Sequence, residues 1–353
     1  MRHLNRQQQG RPAKAPGYRI TLAGQRISPE LGARLVSLSL VDKRGFDSDQ
    51  LDITLADHDG RLALPSRGAT LQLAIGWQGQ GLVDRGTYIV DEIEHSGPPD
   101  QLIIRARAAD MRNALPGKRT QSWHQLTLGD IVTTIAARHQ VAPRITAKLA
   151  STAISHIDQT DESDLHFLTR LAERFDADAT IKAGHLLFLP RGKGTTAGGV
   201  AIPPVTLSRG DGDKHRYILT ERDAFSGVIA HYHHIATGQR EQVLVGSADN
   251  PKTLRGNFAD EINALEEANA EWRRIRRAGA SLHLDLAEGR ADLYPETPIQ
   301  ARGWKADIDS TPWVATEVAH ALSDSGYTCA VECEVMGAED DGGDDEGTGQ
   351  TSG

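Results

Sequence analysis

At 353 residues the chain is long enough for two or three domains and a substantial core, and with aromatics at only 5% that core must rest on Leu, Ile, Val and Ala. A formal net charge of -9 argues against a general nucleic-acid binder, and two cysteines cannot make a disulfide framework. No apolar run approaches the ~18 residues of a membrane span, and the N-terminus carries no signal-like apolar segment, so manufacture and assembly in a cytoplasm are expected, without membrane insertion.

Residues 1–16, rich in Arg, Gln, Pro and Lys, read as a flexible basic lead-in. Alternating strand patterns follow at Leu35–Val41, Leu51–Leu55, Thr70–Ile75, Tyr88–Glu94 and Leu102–Ala108, the last two flanking a Gly97-Pro98-Pro99-Asp100 turn. Short strands at this spacing predict a first barrel-like β domain over 17–115 with one buried and one wet face. The character changes near residue 116. Thr127-Leu128-Gly129-Asp130 reads as a helix start, with Ile131, Val132, Ile135 and Ala136 as its buried stripe. A mixed helix and hairpin domain is expected over 116–191, then a Gly/Thr-rich linker over 192–199.

A second barrel-like β domain is expected over 200–338. Its strands are read at Arg216–Thr220, Ser226–His233, Glu241–Val245, Ser281–Leu286, Trp313–Val318 and Thr328–Val335. A helix inserted at about 259–278 carries a stripe of Ile262, Leu265, Trp272 and Ile275, and Arg273, Arg274, Arg276 and Arg277 crowd its C-terminal end as a solvated helix end. Residues 339–353 are Gly-rich and acidic; they cannot bury a core and are expected to be disordered. The fold class is therefore α+β, mainly β: two barrel-like β domains, a mixed α/β insert and an acidic tail.

Within the insert, Ile157 to Phe175 has the pattern of a capped amphipathic helix. Thr160 or Asp161 can accept an orphaned first-turn N–H; Asp161, Glu162 and Asp164 suit the positive end of the helix dipole, and Arg170 and Arg174 the other. Leu165, Leu168, Leu171, Ala172 and Phe175 form one apolar stripe. A hairpin follows: Ala179–Lys182, a turn at Ala183-Gly184-His185, then Leu186–Leu189 stopped by Pro190. The Gln159-to-Leu171 run (Glu162-Ser163-Asp164-Leu165, Phe167-Leu168, Arg170-Leu171) joined to that hairpin resembles the phage late-control gene D proteins and the hub portion of VgrG proteins.

That resemblance implies a tail hub: a homotrimer joining a hexameric tail tube to a trimeric spike in a contractile phage tail or phage-derived injection particle. The other implied partners are baseplate proteins and a tape-measure protein. VgrG chains run on into a spike, whereas this sequence passes from Glu334-Val335-Met336 into the acidic tail, so the spike is expected to be a separate polypeptide. Acidic residues lining the channel would ease passage of DNA or tape measure by repulsion. The resemblance implies no catalytic residue and no cofactor.

Chemistry-bearing residues are few. His231 and His233 share a face if Ser226–His233 is a strand, the best metal-ligand geometry in the chain, but no acid or thiol partner lies near in sequence. Cys329 and Cys333, four residues and roughly 13 Å apart on a strand, cannot bridge and are expected to face one core. Gly192-Lys193-Gly194-Thr195 lacks the spacing of a phosphate loop, and Asp211-Gly212-Asp213 that of a calcium loop. Metal, cofactor and catalytic sites are all expected to be absent. The alternatives are a tail-associated cell-wall hydrolase, for which no motif stands out, and a DNA-binding regulator, disfavoured by the charge and by the lack of a recognition-helix module.

Overall fold

A computed structural model describes residues 14–27, 32–46, 49–109, 117–182, 184–196, 198–220, 225–234 and 237–337. The acidic tail at 339–353 and nearly all of the basic lead-in lie outside these residues.

The alternating patterns fold as strands because every second side chain can reach one apolar layer. The first β region holds β1 (Pro16–Leu22), β2 (Gln25–Arg26), β3 (Leu35–Lys43), β4 (Gln50–Ala56), β5 (Thr70–Trp77), β6 (Val83–Ser96) and β7 (Gln101–Ala108). The insert follows as β8 (Lys118–Thr127), α1 (Leu128–Arg138), β9 (Ala142–Ile145), α2 (Ala147–Ala150), β10 (Ala153–Ser163), α3 (Asp164–Arg174), β11 (Ala177–Lys182) and β12 (His185–Pro190). The second β region comprises β13 (Val205–Ser208), β14 (Gly212–Leu219), β15 (Gly227–His233), β16 (Arg240–Gly246), β17 (Pro251–Thr253), α4 (Glu261–Ala278), β18 (Ala280–Leu286), β19 (Pro298–Arg302), α5 (Ala306–Ser310), β20 (Trp313–Ser323) and β21 (Gly326–Val335).

The two β regions, read from the sequence as barrel-like domains, are hydrogen-bonded to each other through one 13-stranded sheet, with β15, β16 and β17 of the second region forming a separate three-stranded sheet. The order of the large sheet is β14-β18-β21-β20-β3-β4-β7-β6-β5-β1-β2, with β19 on β20 and β13 parallel to β19. The join is the antiparallel β20–β3 pair, from Glu317 opposite Lys43 to Ser323 opposite Ser37. One apolar cluster runs through both regions, with Leu38, Leu40, Leu51 and Ile53 from the first and Leu282, Leu284, Trp313 and Val331 from the second. This pairing joins strands 274 or more positions apart in the chain, which local periodicity cannot reveal.

The insert has its own core. Trp123 stacks on Phe167 at 5.9 Å between ring centroids, amid Ile131, Val132, Ile135, Leu168 and Leu171. Helix α1 starts as its sequence predicts: Thr127 and Asp130 form a reciprocal capping box. The hairpin also forms, with β11 antiparallel to β12, and β9 joins it in parallel.

Several expectations need correction. Residues 153–163 continue as β10, paired with β8, so α3 begins at Asp164 and its cap is Ser163 rather than Thr160 or Asp161. The polar residues that suit a helix N-terminus suit an exposed ribbon equally. Phe167 is fully buried, and Leu165 only partly, so the stripe is rotated from the one read in the sequence. In α4, Ile262 is 70% exposed and Leu265 also faces out, while Ala264, Ala268 and Ala270 are buried. Small residues face the partner there because α4 lies close over the three-stranded sheet β16-β15-β17, on Val228, Ala230 and Tyr232. At the start of the glycine-rich stretch, Gly192 and Gly194 are buried, the Gly337 N–H donates to the Gly192 carbonyl at 2.9 Å, and the Ile202 N–H to that of Gly194 at 2.8 Å.

Candidate functional site

The insert, α4 and the large sheet meet along a seam of buried charge. Helix α3 ends at Phe175, and Asp176 takes a left-handed backbone (φ 51°) that turns the chain into β11. Asp176 thereby points at α4. Arg277, in the last turn of α4, grips both of its carboxylate oxygens, Nη1 donating to Oδ2 at 2.6 Å and Nη2 to Oδ1, while Arg273 Nε donates to Oδ2 at 3.3 Å. Arg274 Nη2 donates to the Glu173 carbonyl at 2.8 Å, and Arg174 Nε lies 3.0 Å from Glu267. The arginine cluster read as a solvated helix end is thus mostly a clamp, with Arg277 only 2% exposed.

A second layer ties the insert to the large sheet. Arg44, just past β3, reaches Glu334 of β21 at 2.5 Å, Glu296 at 2.7 Å and Asp178 of β11 at 3.4 Å. Arg191 Nε donates to Asp178 at 2.9 Å, and Arg277 Nε lies 3.3 Å from Glu334. Burial works to raise the Asp176 carboxyl, but the Arg277 hydrogen bond and the charges of Arg277, Arg273 and Arg191 hold it below the usual range. For Asp178 burial wins over Arg191 and Arg44, and its carboxyl is raised. Burial pushes Glu296 up to about 7 against the pull of Arg44. Such a network fixes one relative placement of its parts, because each charge left without its partner would be costly.

The motif at 159–171 organises the hydrogen bonds on the insert's polar side. Gln159 is fully buried; its Nε2 donates to the Glu162 carbonyl at 3.0 Å and to Asp164 Oδ1 at 2.9 Å. Asp164, also buried, accepts from Arg138 Nη1 at 3.1 Å and contacts His139 at 2.8 Å and Arg119 at 3.4 Å. Desolvation opposes its charge, yet the bonds from Gln159 and His139 and the Arg138 and Arg119 charges lower its pKa. Arg170 closes the motif, donating to Glu162 at 2.8 Å and to the Asp158 carbonyl at 2.7 Å.

The other singled-out residues do not converge on chemistry. His231 is half-buried on β15, and the exposed His233 ring lies 3.3 Å from the Asn257 amide. Among the described residues no three His, Cys, Asp or Glu side chains gather as metal ligands. Cys329 and Cys333 are buried as free thiols in the large core, on one face of β21 as expected. Cys329 Sγ lies 3.0 Å from His320 Nδ1, which also meets Tyr327 Oη at 2.9 Å. Burial pushes that thiol up to about 11, and burial with the nearby Arg85 charge pulls the imidazole down to about 3. Both are neutral and closed to solvent, the reverse of a nucleophilic pair. Asp211 caps a short 3₁₀ turn, accepting from the Ser208 N–H at 2.8 Å.

Sequence reading missed Arg44, Asp176, Asp178, Glu296 and Glu334 as one group. The only local signal is Asp176-Ala177-Asp178-Ala179, in which acids alternate with small residues along a strand otherwise buried.

A large, mostly antiparallel sheet, an inserted α/β unit and a seam of buried ion pairs define a mainly β protein with an α/β insert. Residues 48–326 match the model of the phage tail baseplate hub (GPD) family, and the chain belongs to that family. It is 40% identical to the probable baseplate hub protein of Escherichia phage 186, across 91% of this chain and 93% of that protein. Its fold is similar to the 43 kDa tail protein of prophage MuSo2 from Shewanella oneidensis (14% identity, TM-score 0.65, 90% of this chain and 98% of that one). A more distant likeness is to a chain of a Francisella PdpA–VgrG complex (9% identity, TM-score 0.53, 92% of this chain and 53% of that one). The protein is a structural component of the virion's tail baseplate, not an enzyme, as the resemblance of the 159–190 block implied.

Proposed function

We propose that three copies of this chain close into the ring that adapts a hexameric tail tube to a separate trimeric spike. The observation that carries this reading is the β3–β20 join. It welds two β regions into one body, so three chains supply six β regions on a three-fold axis. The seam of Arg44, Asp176 and Arg277 supports it further, since a junction between rings of different symmetry needs subunits that do not flex internally. Other baseplate proteins and the tape-measure protein complete the set of partners, and assembly takes place in the bacterial host cytoplasm. The chain neither inserts in a membrane nor reads a nucleic-acid sequence.

Light scattering on the purified chain, alone and with the spike protein, tests this. A species of ~115 kDa, three times the 38.2 kDa chain, that captures the spike is the expected result. A monomer that ignores the spike would sink the adaptor reading.

A further inference from the structure

Helices α1 and α3 are each entered from one strand of a two-stranded ribbon, β8 and β10. On the exposed face of that ribbon His124 of β8 stands opposite His156 of β10. Their Nδ1 atoms are 3.0 Å apart, and the ring centroids 4.5 Å. Asp158, two residues further along β10 on the same face, places Oδ2 3.2 Å from His156 Nε2 and accepts the Ser122 hydroxyl on Oδ1 at 2.6 Å. The Ser122 bond and, more weakly, the neighbouring imidazoles hold the Asp158 carboxyl below its usual range against desolvation.

Two metal–nitrogen bonds of about 2.0–2.1 Å at right angles set their nitrogens about 2.8–3.0 Å apart, which is the spacing of this pair. The ionised Asp158 accepts the proton on His156 Nε2 and leaves the Nδ1 lone pair free, as an outer carboxylate does for a metal-bound histidine. His124 can carry its own proton on Nε2, so both neutral rings can offer Nδ1 at once. A small rotation of the exposed rings aims both lone pairs at one point.

We propose that His124 and His156 chelate a divalent late transition ion of the Ni²⁺ or Cu²⁺ class through their Nδ1 atoms, with Asp158 orienting His156 from outside the shell. Tetrahedral Zn²⁺ wants its nitrogens about 3.3–3.4 Å apart and fits less well, and Mg²⁺ and Ca²⁺ take oxygen ligands. Among the described residues no third protein ligand joins the pair, so water completes the shell. The bound ion ties β8 to β10 and steadies the strands that lead into α1 and α3. The two histidines are 32 positions apart in sequence, and strand pairing alone brings them together.

The test is calorimetric titration of the full, chelator-treated chain with NiCl₂, and the parent should bind one tight equivalent per chain. The second imidazole acts as an intramolecular ligand, so His124→Asn and His156→Asn should each weaken that equivalent about a hundredfold, and the double variant should lose it. Asp158→Asn should weaken it about tenfold with the stoichiometry unchanged. In chelator the His variants should unfold at nearly the temperature of the parent, because both side chains are exposed, and added Ni²⁺ should raise the Tm of the parent and not of the double variant. MgCl₂ should change nothing. A parent that binds Ni²⁺ no more tightly than the double variant, or a loss in only one of the single His variants, would overturn the site. Unchanged affinity in Asp158→Asn would overturn the orienting role of that carboxylate.

Discussion

Arg277 and Asp176, 101 positions apart in sequence, face each other through two parallel hydrogen bonds with both side chains out of solvent. The pair locks α4 to the turn that follows α3. Arg277→Met leaves Asp176 buried without its main partner and should cost ~3–5 kcal/mol in urea unfolding. Asp176→Asn in that background should cost much less than in the parent, a coupling of more than about 1 kcal/mol. Additive losses would show that the pair does not act as a unit.

Gly192 offers a steric check on the same seam. Its φ of 69° already disfavours a side chain, and a Cβ there would stand 2.7 Å from Arg277 Cδ. Gly184 has a similar φ of 73° with nothing within 4 Å. Gly184→Ala should cost about 1 kcal/mol from backbone strain alone, and Gly192→Ala at least about 1 kcal/mol more. Thermal unfolding of the two variants side by side decides it.

Glu296 should make stability depend on pH. Its folded pKa is raised to about 7 from an ordinary 4.5 by burial, which outweighs the opposing charge of Arg44 and is helped by a smaller push from Asp178. On acidification the folded chain takes up this proton before the unfolded chain does. The contribution is therefore fully present below about pH 4.5 and is lost as pH rises through about 7. Glu296→Gln should remove a dependence on the order of 1–3 kcal/mol between pH 5 and 8. Parallel pH profiles for parent and variant would contradict this.

Gln159→Ala removes the amide that joins the Glu162 carbonyl to Asp164 inside the insert. A loss of about 1–3 kcal/mol is expected, because a partly buried carbonyl and a buried carboxylate each lose a donor. Proteolysis sites within 117–190 should become accessible before those in the large sheet.

Removing residues 339–353 should leave the oligomeric mass per chain, measured by light scattering, unchanged apart from the deleted residues. Among the described residues, the last apolar side chain packed on the large core is Val335. A fall to monomer would assign the acidic segment a part in assembly.

Elements with a strong local pattern were legible in the sequence. Thr127 and Asp130 cap α1 and its stripe of Ile131, Val132, Ile135 and Ala136 is buried, because capping and helical spacing are satisfied within a few residues. The hairpin of β11 and β12 and the central strands followed for the same reason. Where one pattern suits two structures, as with the polar run at 157–163, the pairing of β10 with β8 decided, and the helix cap moved to Ser163.

By itself the sequence determined the mainly β character, the burial of Cys329 and Cys333, and, through the 159–190 block, the family. Only the tertiary structure decided that the two β regions share one sheet through β3 and β20, that α4 buries its alanines, and that its arginines clamp the insert. The reason is physical. Periodicity and capping are short-range and repeat along the chain, whereas an ion pair such as Arg277–Asp176 gains its worth from desolvation, which exists only once distant segments have excluded water from between them.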